Sequence, residues 1–348
     1  MSVQGGGDVV ILAFETSCDE TSCAVVVGDG SLRVASNIVA SQVELHQRFG
    51  GVVPEIASRS HVEAIIPVLD RAFGDAGIEP HQVDAVAVTF GPGLVGSLLV
   101  GLSAAKAAAS ALGVPLIGIN HIEAHIYANF LEHPDLAPPL VCLTVSGGHT
   151  DLVYFRNHGD YDVIGRTRDD AAGEAFDKVA RILGLGYPGG PAIDRLAASG
   201  DPAAVTLPRA YLEEGSYDFS FSGIKTAVLN YVNGLRQKGL EIPVRDLAAS
   251  FQAAVIEVLA EKAIRAATAT GVGRLALSGG VAANRGLRRL LEDRCRDEGL
   301  ELYYPSPSLC TDNAAMVGCA GYYHYIRGSS GEGPVNAVPG VSLSQPGS

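Results

Sequence analysis

In "NHIEAHIYAN", Asn120 to Asn129, two histidines stand four residues apart with Glu123 between them. On a helix, positions i and i+4 lie about 40° apart around the axis, so the imidazoles of His121 and His125 share a face and can meet one cation. Glu123 falls about 200° from His121 and points elsewhere. In the zinc-protease pattern HExxH the glutamate directly follows the first histidine and acts as general base. Here it stands one residue too late, so the stretch reads as half of a metal site without a protease base. An HxxxH alone more often marks two helix-face histidines bonded to neighbours, so the pair needs further ligands from elsewhere in the chain.

Three loops carry the other chemistry: "ETSCDET" from Glu15, "SGGHTD" from Ser146 and "SGGVAANRG" from Ser278. Each follows an apolar run that reads as a strand. Ligands of open α/β sheets bind off the carboxyl ends of strands, where glycines let backbone N–H groups approach phosphate oxygens. One Ser-Gly-Gly is as readily a plain tight turn; two at matching places are more specific. Glu15 and Asp19 are unusual beside a phosphate site unless they handle a metal, water or amine. His46 and His61 flank "GGVVPE" and fit core or surface roles better than a binding role. Arg285, Arg288 and Arg289 could form a phosphate-contacting edge or a solvated helix face.

The elements that position these loops come twice. "DVVILAFET", "SCAVVVGDG" and "LRVASNIVASQ" read as three strands, followed by the helix "VPEIASRSHVEAIIPVLDRAFGDAG", the strand "VDAVAVTF" and a small-residue helix after "GPGLVGS". The order β-β-β-α-β-α returns from "LVCLTVSGG" through "HTDLVYFRN", "YDVIGRTRD", "AAGEAFDKVARILG", the long helix "LAASFQAAVIEVLAEKAIRAATATG", "RLALSGG" and "NRGLRRLLEDRCRDEG". This predicts an α/β protein of two duplicated lobes with a cleft between them. The N-terminal lobe is placed at 8–116, completed by a C-terminal helix at 318–330. The second lobe is placed at 117–317 with an irregular insertion at about 192–244, and a loose tail at 331–348.

The chain has 348 residues, 47% of them hydrophobic, with 42 glycines and a formal net charge of −13. Such a charge excludes a protein that grips nucleic acid with its whole surface, so any nucleic-acid role needs a local basic patch or a partner. Six cysteines without a CxxC pair argue against a disulfide framework. The run from Leu94 to Val114 contains Lys106 and many small residues and reads as a buried helix, not a membrane span. The first residues lack the basic and apolar segments of a signal peptide, which predicts a cytoplasmic protein without a membrane role.

"FETSCDETSCAVV", "GGVVPEIASRSH", "GPGLVGSLLVG", "NHIEAHIYA", "VSGGHTDL", "DDAAGEAFDKVARILGLGYPGGP", "FSFSGIKTAV", "LSGGVAANRGLR" and "CTDNAAM" together resemble the bacterial TsaD (YgjD/Gcp) family, in order, from about Val9 to Arg327. The resemblance implies ribonuclease-H-like lobes of the actin, Hsp70 and sugar-kinase type. It also implies transfer of a threonylcarbamoyl group from threonylcarbamoyl-AMP to N6 of the adenosine 3′ of the anticodon, in tRNAs reading codons that begin with A. It implies one divalent metal per subunit, Fe²⁺ with Zn²⁺ as the alternative, on His121, His125 and Asp312. Adenylate contacts fall on Thr144, Val145, Ser146, Gly147 and Gly148, on Asp177, Gly190 and Asp194, and on Asn284. Thr144 departs from the aliphatic residue expected there, so its backbone is the expected contact. Asp19 is the candidate general base. The expected partners are threonylcarbamoyl-AMP, tRNA, a smaller paralogous TsaB-like subunit and a TsaE-like ATPase. The rival readings are a metalloprotease, an ATPase or kinase of the same fold, and a noncatalytic paralogue.

Overall fold

A computed structural model of the chain describes residues 8–29, 31–213, 215–328 and 335–343. They form two units, one of residues up to Leu136 together with those from Pro305 onward, the other Ala137–Tyr304.

The first unit begins with three antiparallel strands, β1 (Val9–Glu15), β2 (Glu20–Gly28) and β3 (Leu32–Ser41), followed by α1 (Val43–Gln47) and α2 (Pro54–Ala76). Then come β4 (Ala85–Gly91), α3 (Val95–Leu112), β5 (Leu116–Asn120) and α4 (His121–Glu132). The sheet order is β3-β2-β1-β4-β5, with β4 parallel to β1 and β5 parallel to β4. Alternation along β1 explains the layering. Val10, Leu12 and Phe14 join a core with Ile65, Val68 and Ala72 of α2 and with Leu102, Ala105 and Ala109 of α3. Side chains buried so completely contribute about 1.5–3 kcal/mol each for the larger aliphatics. α3 is the one helix among the described residues long and apolar enough to cross a membrane; its Leu102, Ala105 and Ala109 lie in this core.

The second unit repeats the scheme with β6 (Leu140–Val145), β7 (Thr150–Asn157), β8 (Asp160–Arg166), α5 (Ala172–Ile182), α6 (Gly189–Ala197), α7 (Ser222–Gln237), α8 (Val244–Thr270), β9 (Arg274–Ser278), α9 (Arg285–Glu298) and β10 (Glu301–Tyr303). Its sheet order, β10-β9-β6-β7-β8, is that of the first sheet with each strand replaced by its counterpart. β6 is buried along its whole length.

The chain then returns to the first unit as α10 (Pro307–Cys310) and α11 (Ala314–Ile326). A Cβ on Gly318 would stand 2.6 Å from Val26, and one on Gly321 2.6 Å from Ala87. Glycine at these two positions is what allows α11 to lie directly on the sheet face opposite α2 and α3.

Three sequence boundaries need correction. The first unit continues past residue 116 to Leu136, because β5 extends the sheet beside β4 and α4 packs against α11; it resumes at Pro305, ahead of the expected 318. The segment 192–244 is less irregular than expected: α6 runs on to Ala197, and α7 buries Ile224, Val228 and Val232, four residues apart along one face. Of the tail expected to be loose, residues 335–343 pack on the first unit. Val338 N donates to Phe90 O at 2.9 Å, Gly93 N donates to Pro339 O at 3.1 Å, and Leu343 is buried. Residues 331–334 and 344–348 of that expectation lie outside the described residues. All six cysteines are free thiols.

Candidate active site

In the first unit, β5 passes into α4 without a loop. The Asn120 side chain caps the helix by accepting from Ile122 N at 2.9 Å, which fixes His121 as its first residue at the carboxyl edge of the sheet. His125 follows one turn later, its ring 4.7 Å from that of His121. Asp312 stands just before Asn313, which caps α11 by accepting from Met316 N. Asp312 Oδ1 is 3.2 Å from His125 Nε2 and 3.5 Å from His121 Nε2. One ligand atom from each of the three residues fits within 4.8 Å of the others.

Two observations show that this trio suits a divalent cation. Both ring nitrogens of His125 are buried without a hydrogen bond, the state expected of an imidazole whose lone pair awaits an ion. His121 Nδ1 is 3.1 Å from Glu15 Oε2 and 3.2 Å from Ser17 Oγ, so the donor to the carboxylate is Nδ1–H and Nε2 is the nitrogen turned to Asp312. This carboxylate–histidine arrangement orients metal-binding imidazoles. Thr89 donates to the same Glu15 oxygen at 2.6 Å. Burial alone would depress the His121 imidazole, yet the Asp312 and Glu15 carboxylates push it up to about 9. Burial would likewise lift Glu15, but the charge and hydrogen bond of His121 hold it below the usual carboxylate range. A divalent ion held there would displace that proton, since imidazole ligates only in its neutral form. The sequence flagged Glu15 only as an odd acid, and gave no signal for Ser17 or Thr89.

Glu123 is buried on the far side of α4, with Oε1 3.0 Å from His324 Nε2 on α11. This removes the base that a metalloprotease would need. Burial opposes the His324 charge, but the Glu123 hydrogen bond and charge raise its pKa above the ordinary imidazole value. The pair's stabilisation is therefore full below the unfolded imidazole pKa and is lost as pH rises through the raised one. Glu123→Gln is expected to lower the melting temperature at pH 6 but little at pH 9, with metal content and transfer kept; equal losses at both pH values would refute the pairing.

Asp19 is buried at the start of β2, beside Glu20. Burial, then the Asp312 and Asp19 charges, push the Glu20 carboxyl up to about 9, and it hydrogen-bonds to Asp19. His46 and His61 are buried and bonded within the first unit, as core histidines.

In the second unit the two Ser-Gly-Gly turns abut. β6 and β9 are parallel, with Thr144 opposite Ser278. The Ser278 hydroxyl donates to Thr144 Oγ1 at 3.0 Å, and Gly279 lies against the Val145 backbone. Thr144 is fully buried, backbone and side chain alike, between β7 and β9. Ser146 is among the expected adenylate contacts, but its N–H closes the turn onto His149 O at 2.8 Å; Gly147 and Gly148 are exposed. Asp177 Oδ1 accepts from Gly189 N at 2.7 Å and so anchors the start of α6, where a Cβ on Gly190 would meet open space. Asp194 pairs with Arg285 Nε at 2.7 Å. Asn284 caps α9 through Leu287 N and donates to Gln252 Oε1 at 2.7 Å. Of the three arginines, Arg288 lies over the Tyr304 ring and Arg289 is exposed.

The chain thus combines a doubly built α/β fold, Gly-rich turns at the strand ends and a His-His-Asp trio in the first unit. The sequence model described as tRNA N6-adenosine threonylcarbamoyltransferase (TsaD) matches residues 33–319. The proteins of that name from Clostridioides difficile (strain 630) and Symbiobacterium thermophilum are 55% and 59% identical to this chain, covering 97% and 98% of it and 99% of their own lengths. The chain therefore belongs to the tRNA N6-adenosine threonylcarbamoyltransferase family, acyltransferases that modify tRNA. Among solved structures, full-length HypF in its phosphate- and nucleotide-bound form has a TM-score of 0.60 at 16% identity, covering 95% of this chain and 48% of its own. HypF of T. kodakarensis has 0.62 at 14%, covering 94% and 49%. The chain spans about half the length of each, and the likeness is one of fold.

Proposed function

We propose that the chain takes the threonylcarbamoyl group from threonylcarbamoyl-AMP to N6 of the adenosine 3′ of the anticodon, in tRNAs reading codons that begin with A. The family membership supports the tRNA acceptor. The observation that carries the site reading is the convergence of His121, His125 and Asp312, with the ring nitrogens of His125 outside any hydrogen bond and Nε2 facing Asp312.

In this reading His121, His125 and Asp312 hold one divalent ion, Fe²⁺ ahead of Zn²⁺, since two imidazoles and a carboxylate with open positions suit Fe²⁺ chemistry. Such an ion would supply Lewis acidity when bound. Glu15, braced by Thr89, keeps the His121 ring in register. The exposed Gly147 and Gly148 amides receive the nucleotide, at the end of the buried strand that carries Thr144 and Val145. Asp177, Gly190, Asp194 and Asn284 orient the adenosine. The adenosine N6 is a poor nucleophile because its lone pair is delocalised, so positioning and charge stabilisation carry most of the acceleration. N6 attacks the carbamoyl carbon, the bond to the phosphate oxygen breaks, AMP leaves, and Asp19 accepts the amine proton.

A smaller TsaB-like subunit and a TsaE-like ATPase complete the cytoplasmic enzyme in this reading, which suits a chain too acidic to hold tRNA alone. A docking face for the paralogue is available on the first unit. Val62 and Ile66 project from α2, and Val95 and Leu99 from α3, all more than half exposed, where Gly96 packs against Ser58. Ile66→Glu with Leu99→Glu is expected to abolish co-elution with the TsaB-like subunit in size-exclusion chromatography. The melting temperature of the isolated chain should change little, as exposed substitutions usually cost within about 0.5 kcal/mol. Unaltered co-elution would remove this face from the proposal. The proposal as a whole is tested by reconstituting transfer with and without the chain and reading the tRNA nucleosides by mass spectrometry.

A further inference from the structure

The turn Ser17–Cys18–Asp19 links β1 to β2 and touches the trio through the Ser17 hydroxyl, 3.2 Å from His121 Nδ1. Its three carbonyls are all taken from outside the turn. Leu94 N donates to Ser17 O at 2.8 Å, Gln42 N donates to Asp19 O at 3.0 Å, and His61 Nε2 lies 3.0 Å from Cys18 O. Two of these donors are backbone amides; only the middle carbonyl is held by a side chain.

A carbonyl oxygen can only accept, so His61 must carry its proton on Nε2 and accept at Nδ1. Nδ1 is 2.7 Å from Thr21 Oγ1 and 3.4 Å from Gln42 Nε2, both able to donate. The same logic runs outward. Gln42 Oε1 takes a hydrogen bond from His46 Nε2 at 3.2 Å, and His46 Nδ1 accepts from Val53 N at 3.3 Å. Every bond then points one way, from Val53 N–H through His46, Gln42 and His61 to the Cys18 carbonyl. Gln42, His46 and His61 are all buried, so each break would strand a polar group away from water.

We propose that His61 is a positioning residue for threonylcarbamoyl transfer: as the terminal donor of a one-way hydrogen-bond chain, it fixes the Ser17–Asp19 turn against His121 and sets the place of Asp19. Burial holds the His61 imidazole below its usual range, in keeping with the neutral form the chain requires. The chain begins in the segment before α2 and so ties that segment to the acidic turn. This assignment rests on the reading of His121 and Asp19 given above.

The test uses the full chain with its partners and metal. His61→Leu is expected to lower kcat for transfer by about 10-fold or more, within the 10–100-fold range typical of groups that orient a metal site. KM for threonylcarbamoyl-AMP and metal stoichiometry should be retained. His61→Gln, which restores a donor at the position of Nε2, is expected to recover most of kcat. Parent kcat in His61→Leu, or equal losses in the two variants, overturns the proposal. Nitrogen-15 NMR of the imidazoles in the metal-free parent chain supplies a readout independent of folding in any variant. His61 must show a protonated Nε2 and an unprotonated Nδ1; the opposite tautomer overturns the chain. Absence of metal-dependent transfer in the parent would instead sink the site reading while leaving the tautomer result intact, so the two failures are distinguishable.

Discussion

His125→Ala should abolish metal binding and lower threonylcarbamoyl transfer by about 10³-fold, while the metal-free chain keeps nearly its parent stability. A bound ion contributes several kcal/mol to transition-state charge stabilisation, and each 1.36 kcal/mol is a tenfold change in rate. The stability half follows from burial without bonding. Nδ1 of His125 has no partner and Nε2 faces only Asp312 Oδ1 at 3.2 Å, so removing the ring deletes desolvated polar atoms and offsets part of the cavity cost. His121→Ala should behave differently. It leaves Glu15, buried and held as a carboxylate by His121, without its partner, and breaking such a pair costs about 3–5 kcal/mol. Thermal unfolding with and without added Fe²⁺ or Zn²⁺ separates the cases. The parent should gain melting temperature with the ion, as any ligand of the folded state provides, and His125→Ala should gain none. A metal-induced shift of parental size in His125→Ala would remove His125 from the ligand set.

Gly279→Ala has the second largest expected effect. Gly279 sits at φ 85° and ψ 169°, a conformation essentially restricted to glycine, and a Cβ there would stand 2.4 Å from the Val145 carbonyl oxygen. The three nearest atoms all belong to the Val145 backbone, so none can swing aside. Strain of this kind costs about 1–3 kcal/mol before the steric overlap is added. The overlap pushes apart the two Ser-Gly-Gly turns that the Ser278 and Thr144 hydroxyls hold together. The expected result is a lower melting temperature and a KM for threonylcarbamoyl-AMP raised by about tenfold or more. Gly147→Ala serves as the contrast, because a Cβ there meets nothing within 4 Å. It should leave the melting temperature unchanged and affect KM alone. An unaltered KM in Gly279→Ala would show that the paired turns do not receive the nucleotide.

The duplicated order of strands and helices was legible because the central strands β1, β4 and β6 are nearly continuous apolar runs bounded by polar or glycine turns. β5 and β10 were not legible. Leu116–Asn120 has five residues and runs straight into α4, and Glu301–Tyr303 has three, too few for any period to show. Missing β5 is what misplaced the boundary at residue 116. α7 escaped notice because Gly223, Asn230 and Gly234 dilute its apolar stripe. The two histidines could be placed on one helix face from spacing alone, and Glu123 away from it. Asp312, far downstream, could be joined to them only through the family resemblance, since no local pattern ties a carboxylate to a helix in another part of the chain. The supporting groups Ser17 and Thr89 follow from the sheet: β1 and β4 are neighbours, and that pairing brings Thr89 to Glu15. Likewise, nothing in the motif "VSGGHT" signals that the Ser146 amide is spent on closing its own turn.

The central claim is that a metal site built on α4 and the residue before α11 serves threonylcarbamoyl transfer to tRNA. Its most direct test is mass spectrometry of tRNA nucleosides after reaction with threonylcarbamoyl-AMP, partners and metal, comparing the parent chain with His121→Ala/His125→Ala. The account predicts N6-threonylcarbamoyladenosine with the parent and almost none with the variant. Modification at the parent rate by the variant would contradict it.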